Sequence, residues 1–331
     1  MSAIKPSKAA STIAISVVLP TCGRMDLLDR CLDALSRQTL PGALYEVIVV
    51  DDEPDHNTLH LVAGWRARTL DRGLRLVYLP NSNQHGPAAA RNLGWRSARA
   101  PIVAFTDEET VPTPGWLAQG LARFADQVDV VYGRLDTSPA SRSSQLGQGA
   151  GDSFSVANCF CRKTLLEHLK GFDERFEQAP HCEADLHFRL LALDARIVHA
   201  PEARVALPVQ PLPWGASLAR TRDVVFDALL YKKHPRLYRE RIAAAPPWNE
   251  YLAVAALLVA LGALLAGSGG LALFAALGWL ALTARLCRQR LRGVTHTASH
   301  VADVVVTSAL IPPLAVFWRL LGAIRYRVRF S

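Results

Sequence analysis

Between Trp248 and Cys287 the chain carries two charged residues, Glu250 and Arg285, and almost everything else is Ala, Leu, Gly or Val. Such a run has no polar face to show to water. Residues 248–266 and 271–287 read as two apolar helices joined by Gly267-Ser268-Gly269-Gly270. Each reaches about 25–28 Å, close to a hydrocarbon core of about 30 Å. The alternative is a buried hairpin in a large soluble core, and the flanking charge argues against it. Seven Lys and Arg fall between Arg220 and Arg241, Arg285, Arg288, Arg290 and Arg292 follow, and the turn has none. The positive-inside bias puts both outer ends in the cytoplasm. A third apolar stretch, Val301–Trp318, holds Asp303 and Pro312-Pro313 and precedes Arg319, Arg325, Arg327 and Arg329. A span would place those four arginines outside, so a re-entrant or interfacial element is preferred over a third span. Ser217–Tyr231 reads as an amphipathic helix on the membrane surface.

The remainder is a different kind of chain. Of the 331 residues half are hydrophobic and a fifth are charged, which excludes a disordered protein. Six Cys are too sparse for a disulfide scaffold, and Cys159 and Cys161 have the wrong spacing for a zinc pair. The net charge of +8 clusters at the membrane flanks, where anionic headgroups attract it, and no nucleic-acid motif is present. Residues 1–12 are short and polar, and the next apolar run is only strand-long. No export signal is therefore expected, and the polar domain is expected in the cytoplasm.

Short apolar runs alternate with helical patterns. Strands are predicted at Ile15–Leu19, Val47–Val50, Leu74–Tyr78, Ile102–Phe105 and Val128–Tyr132. Helices are predicted at Met25–Ser36, Thr58–Thr69, Pro87–Arg99 and Trp116–Phe124, the third with Pro at its first position. This order implies an α/β fold with a mostly parallel sheet covered on both faces. Ligands on such sheets bind beyond the carboxyl ends of the strands. Pro20-Thr21-Cys22-Gly23-Arg24, Asp51-Asp52-Glu53 and Thr106-Asp107-Glu108-Glu109 fall at those ends. Capping a helix needs one carboxylate. Three in a row repel unless a positive charge sits among them, and carboxylate oxygens suit Mg²⁺ or Mn²⁺. Val49–Pro54 also looks like the start of a receiver domain, but a strand and a helix precede it and no Lys lies between Lys8 and Lys163. No Gly-x-Gly-x-x-Gly follows the first strand, which argues against a dinucleotide oxidoreductase.

Six stretches occur in an order that resembles the family 2 glycosyltransferases, which have the Rossmann-like GT-A fold. They are ISVVLPTCGR (15–24), EVIVVDDEPD (46–55), NQHGPAAARNLG (83–94), VAFTDEET (103–110), ANCFCRKTLLEHLKGFDERF (157–176) and EADLHFRLLALDARIVHAPEARV (183–205). The resemblance implies that Pro20, Thr21 and Arg24 line a nucleotide pocket and that Asp52 bonds the nucleobase. It implies that Gly86 and Arg91 contact the nucleotide, and that Asp107, Glu108 and Glu109 occupy the Asp-x-Asp position, with Asp107 and Glu109 on the metal and Asp107 and Glu108 toward the donor. Asn158, Gly171, Phe172 and Asp173 would shape the donor and acceptor pocket. Glu183 takes the catalytic base position, with Asp185 as the fallback base or a residue starting the Leu186–Leu193 helix.

The implied reaction is a single inverting displacement from a nucleotide-sugar, with a divalent cation as cofactor, onto a lipid-linked or glycan acceptor. The enzyme would sit in the inner or cell membrane as a multi-pass protein with a cytoplasmic catalytic domain. The expected organisation is a GT-A domain over 1–212, an amphipathic segment over 213–247, the hairpin over 248–287, and a basic loop with the third apolar element over 288–331. Gln210 and Trp214 keep part of the processive Gln-x-x-Arg-Trp pattern without its Arg, which points to a non-processive enzyme. Three departures stand out: Asp-Glu-Glu at the metal motif, Glu183 at the base position and Cys182 before it. A misplacement of about 1 Å can cost about 100-fold in rate, so a catalytically degraded membrane scaffold is the rival reading.

Overall fold

The computed structural model describes residues 13–82, 86–125, 127–137, 154–208, 213–292 and 298–329. The chain divides into two compact units: Met1–Ser138 with Gln148–Pro208, and Pro139–Gly147 with Val209–Ser331.

The first unit is built on β1 (Ile15–Thr21), β2 (Tyr45–Asp51), β3 (Arg75–Pro80), β4 (Ile102–Phe105), β5 (Val111–Pro112), β6 (Val130–Thr137), β7 (Cys159–Arg162) and β8 (Ile197–Leu207). They form one sheet in the order β3-β2-β1-β4-β7-β6-β8-β5. The β1, β2, β3 and β4 pairings are parallel, β7 runs antiparallel to β4 and β6, and β5 runs antiparallel to β8. β1 and β2 are apolar without alternation because helices cover both faces. Short β7 and β8, which carries Pro201 and Glu202, show no such run, and the sequence pattern did not predict them.

On one face lie α1 (Met25–Ser36), α2 (His56–Arg68) and α4 (Trp116–Ala122). Leu28, Leu32, Leu35, Val62, Trp65 and Trp116 meet Val17, Val47 and Val131 there in a single core. Asp55 caps α2 by accepting from the Thr58 N–H at 2.6 Å. On the other face lies α3 (Pro87–Ser97), where Gly94 lets the helix backbone approach Val18 and Val50. α5 (Lys163–Leu169) and α6 (Ala179–Ala192) complete the unit. α6 starts seven residues before the predicted Leu186, so Glu183 and Asp185 lie inside a helix. Asp185 is therefore not a helix-start residue. It pairs one turn onward with Arg189 at 2.8 Å.

The amino ends of the strands are stitched by a buried carboxylate. Glu46 accepts from Ser16 Oγ at 2.6 Å and from the Arg99 N–H at 2.8 Å, and pairs with Arg75. This holds β1, β2, β3 and the turn into β4 in register.

The second unit is helical: α7 (Ala216–Thr221), α8 (Val225–Lys233), α9 (Pro235–Arg241), α10 (Trp248–Leu265), α11 (Gly269–Leu291) and α12 (Ala298–Tyr326). The Ser217–Tyr231 helix expected from the sequence is split by a 3₁₀ turn at Arg222–Val224. α10, α11 and α12 are each long and apolar enough to cross a membrane. The third apolar stretch is one unbroken helix that carries Pro312 and Pro313.

Glu46→Ala removes the partner of Arg75 and the acceptor of the buried Ser16 hydroxyl, while the Arg99 N–H keeps Ser16 Oγ. It should lower the unfolding free energy by about 1–2 kcal/mol in urea denaturation.

Candidate active site

The carboxyl ends of β1, β2 and β4 bring the acidic segments to one rim. Thr21 closes β1, and its hydroxyl donates to Glu108 at 2.5 Å. Arg24, one residue before α1, donates to Glu108 at 2.6 Å and to Glu109 at 3.1 Å. Glu108 is thus a clasp between the β4 turn and the β1 turn. Burial pushes its carboxyl up, against the opposing pull of Thr21 and Arg24. Asp52 accepts from Asn81 Nδ2 and from the Gly86 N–H, each at 2.7 Å. Gly86 has φ 115°, and Pro87 follows at the start of α3. Asp52 therefore fixes the chain's entry into α3. Residues 83–85 of that motif, like Gln210, lie outside the described residues.

The centre of the site is a buried arginine. Arg91 of α3 sends Nη2 to both oxygens of Asp107, at 2.9 and 3.2 Å, and to Glu183 Oε1 at 3.2 Å. Its side chain is 1% exposed, against 23% for Asp107 and 12% for Glu183. Burial disfavours the guanidinium charge, but Asp107 and Glu183 outweigh it and hold its pKa raised. Glu183 also accepts from the Val156 N–H at 3.2 Å. Burial raises the Glu183 pKa, Arg91 opposes this, and Asp107 adds to it. The Arg91 guanidinium lies 5.7 Å over the Phe172 ring, which packs edge-on against Phe105.

The neighbouring residue holds that ring in place. Asn92 accepts from the Phe172 N–H and donates to the Phe172 carbonyl, both at 2.9 Å. Gly171 has φ 70°, and a Cβ there would strike Asn92 and Trp95. Asp185, fully buried, holds Arg189, which donates to the carbonyls of Leu169 and Gly171 at 3.0 and 2.8 Å. Asp173 receives Arg175 at 2.6 Å. Asn158 spends its amide on the protein: Trp116 Nε1 donates to it, and it donates to the carbonyls of Arg134 and Ala203. Cys22 lies exposed beside the rim, its thiol pushed up to about 11 by burial and by Glu53, Asp52 and Glu108. The sequence named Arg91 and Asp185 but not the bridging role of the first or the turn-holding role of the second. Charge arithmetic was the available signal: four acids, Asp107 to Glu109 and Glu183, need cations, and Arg24 and Arg91 fall in the same motifs.

The Glycosyl transferase family 2 profile matches residues 16–182, half of the chain, from β1 into α6. The chain belongs to glycosyl transferase family 2. It is 32% identical over 196 residues to glycosyltransferase AglE of Haloferax volcanii, covering 55% of this chain and 62% of that protein. It is 36% identical over 121 residues to the validoxylamine A glucosyltransferase of Streptomyces hygroscopicus subsp. jinggangensis, covering 36% of this chain and 28% of that one. The chain thus spans less than two thirds of the curated relatives it matches. Mannosyltransferase PcManGT of Pyrobaculum calidifontis, solved with GDP-Man and Mn²⁺, superposes with a TM-score of 0.54 at 21% identity, covering 95% of this chain and 86% of that one. At that identity the likeness is one of fold, and it places the family 2 domain in the GT-A architecture.

Among the described residues no three His, Cys, Asp or Glu come together as a metal cluster. A Mg²⁺ or Mn²⁺ that bridges a diphosphate needs only one or two protein carboxylates, because phosphate and water oxygens fill the rest. Asp107 and Glu109, both partly exposed hard-oxygen donors on the rim, fit that role.

Arg91→Met leaves Asp107 and Glu183 facing each other without a cation. It should lower the unfolding free energy by about 3–5 kcal/mol near neutral pH. The deficit should shrink on acidification as Glu183, already raised, takes up a proton.

Proposed function

We propose that the protein transfers a sugar from a nucleotide-sugar to an acceptor hydroxyl in one inverting displacement. The observation that carries this is the meeting of Asp107 and Glu183 on one buried arginine, at the carboxyl rim of a family 2 domain. Pro20, Thr21, Arg24, Asp52 and Gly86 surround the donor side. Asp107 and Glu109 hold the divalent cation, which when bound neutralises charge on the departing diphosphate. Glu183 takes the acceptor proton: its raised pKa brings the carboxylate's basicity closer to the working pH. Asp185 is the weaker base candidate, because it is fully buried and committed to Arg189. It acts instead through the turn that seats Phe172 under Arg91. Asn158, Gly171, Phe172 and Asp173 form the scaffold of the pocket.

The paired helices α10 and α11 anchor the enzyme in a membrane, with their basic ends and the catalytic unit on the cytoplasmic side. Tethering favours a lipid-linked acceptor or a growing glycan. Relatives named as poly(ribitol-phosphate) glycosyltransferases, of Bacillus spizizenii and Staphylococcus aureus, take a polymer by their names and support a glycan acceptor. A two-helix hairpin encloses no channel, which supports non-processive transfer.

Glu183→Gln should reduce kcat by about 10²–10⁴-fold in a transfer assay while nucleoside diphosphate still raises the melting temperature in the presence of Mn²⁺. Unchanged turnover would refute the base assignment, and absence of turnover by the wild-type chain with every common donor would favour a scaffold.

In the wild-type enzyme kcat should fall as pH is lowered, because Glu183 must be ionised to accept the proton. The midpoint should lie above the ordinary carboxylate value of about 4.3. Chelation of divalent cations should abolish turnover and Mn²⁺ should restore it.

A further inference from the structure

The second unit holds three apolar helices but not a three-span bundle. α10 and α11 pack against each other across the Ala266–Ser268 turn, so α10 begins and α11 ends at the same end of the hairpin, its base. Two polar contacts fix α12 against that base. Near its start, Arg290 in the last turn of α11 donates to Thr307 Oγ1 at 2.7 Å and to Ser308 Oγ at 3.1 Å, and both hydroxyl residues are fully buried. Farther along, Arg319 reaches Glu250 in the first turn of α10 at 3.1 Å. The helix between those contacts is about 18 Å long. In a span running antiparallel to α11, that rise would carry Arg319 toward the far turn. Glu250 lies at the other end, so α12 crosses the base instead of climbing the hairpin.

The far half of the hairpin agrees. Leu264, Leu265 and Phe274 are 66, 89 and 78% exposed, so no third helix among the described residues covers them. The faces of α12 agree as well. Val304, Ser308, Ala315 and Gly322 are buried, and Gly322 meets the Val225 backbone of α8. Val306, Leu310, Phe317, Leu321 and Ile324 are exposed and recur on the opposite side of the helix. A continuous apolar stripe on a helix lying across the base of a membrane hairpin has one medium to face.

We propose that α12 is an in-plane helix, and that its Val306–Ile324 stripe sinks into the acyl boundary of the same leaflet that the hairpin base enters. Its partner is a lipid surface carrying anionic headgroups, met by Arg288 and Arg292 at the end of α11 and by Arg325 and Arg327 at the end of α12. This rests on the reading that α10 and α11 are membrane-embedded.

The test uses the full-length chain with a protease-sensitive tag at each end, in sealed vesicles of known orientation. An in-plane α12 leaves both tags on one side, so added protease removes both or neither. Removal of one tag only would overturn the proposal. In a Cys22→Ser, Cys287→Ser background, nitroxides attached at Leu310→Cys, Phe317→Cys and Ile324→Cys should lie at one depth within about 4 Å. A steady change of about 10 Å per seven residues marks a span and would overturn it too. Release of the wild-type chain by alkaline carbonate would overturn the membrane reading itself, and the in-plane helix with it.

Discussion

One buried guanidinium organises the acidic rim. Asp107 lies in the turn two residues past β4 and Glu183 belongs to a helix far along the chain, and neither could keep its charge this close to the other without Arg91. Removing a buried pair's partner costs far more than the pair contributes, because an uncompensated charge remains. The supports around Arg91 are arranged accordingly: Phe172 lies under it, Asn92 clamps Phe172, and Asp185 with Arg189 secures the turn that delivers Phe172.

The longer acids make sense against this frame. Glu108 uses its extra methylene to reach back to Thr21 and Arg24, and Glu183 reaches from inside α6 to both Arg91 and the Val156 N–H. Each has a protein partner at its tip. The substitutions are built into the hydrogen-bond network, and the network gives the carboxylates fixed positions.

Much of this architecture was legible in the residues. The parallel half of the sheet announced itself because strands buried on both faces are uninterrupted apolar runs, and Met25–Ser36 matched its helix because Leu28, Cys31, Leu32 and Leu35 share one side. The antiparallel strands β5 and β7 and the long β8 did not, since Val111-Pro112, Cys159–Arg162 and Pro201-Glu202 carry no such signal. The early start of α6 was hidden by a polar run, His181 to Asp185, that reads as a loop until its tertiary partners are known. Long-range pairings such as Arg91 with Glu183 have no local signature at all. The residues name the participants, and only the fold shows who faces whom.

The exposed thiol at the rim has a practical consequence. Cys22 lies exposed beside the acidic rim, yet burial of its sulfur, with Glu53, Asp52 and Glu108 adding to it, holds it protonated through the neutral range. The thiolate is the form that attacks electrophiles and oxidants, so this sulfur reacts slowly despite its accessibility. The acidic rim thereby exposes a sulfur atom without exposing a reactive thiolate.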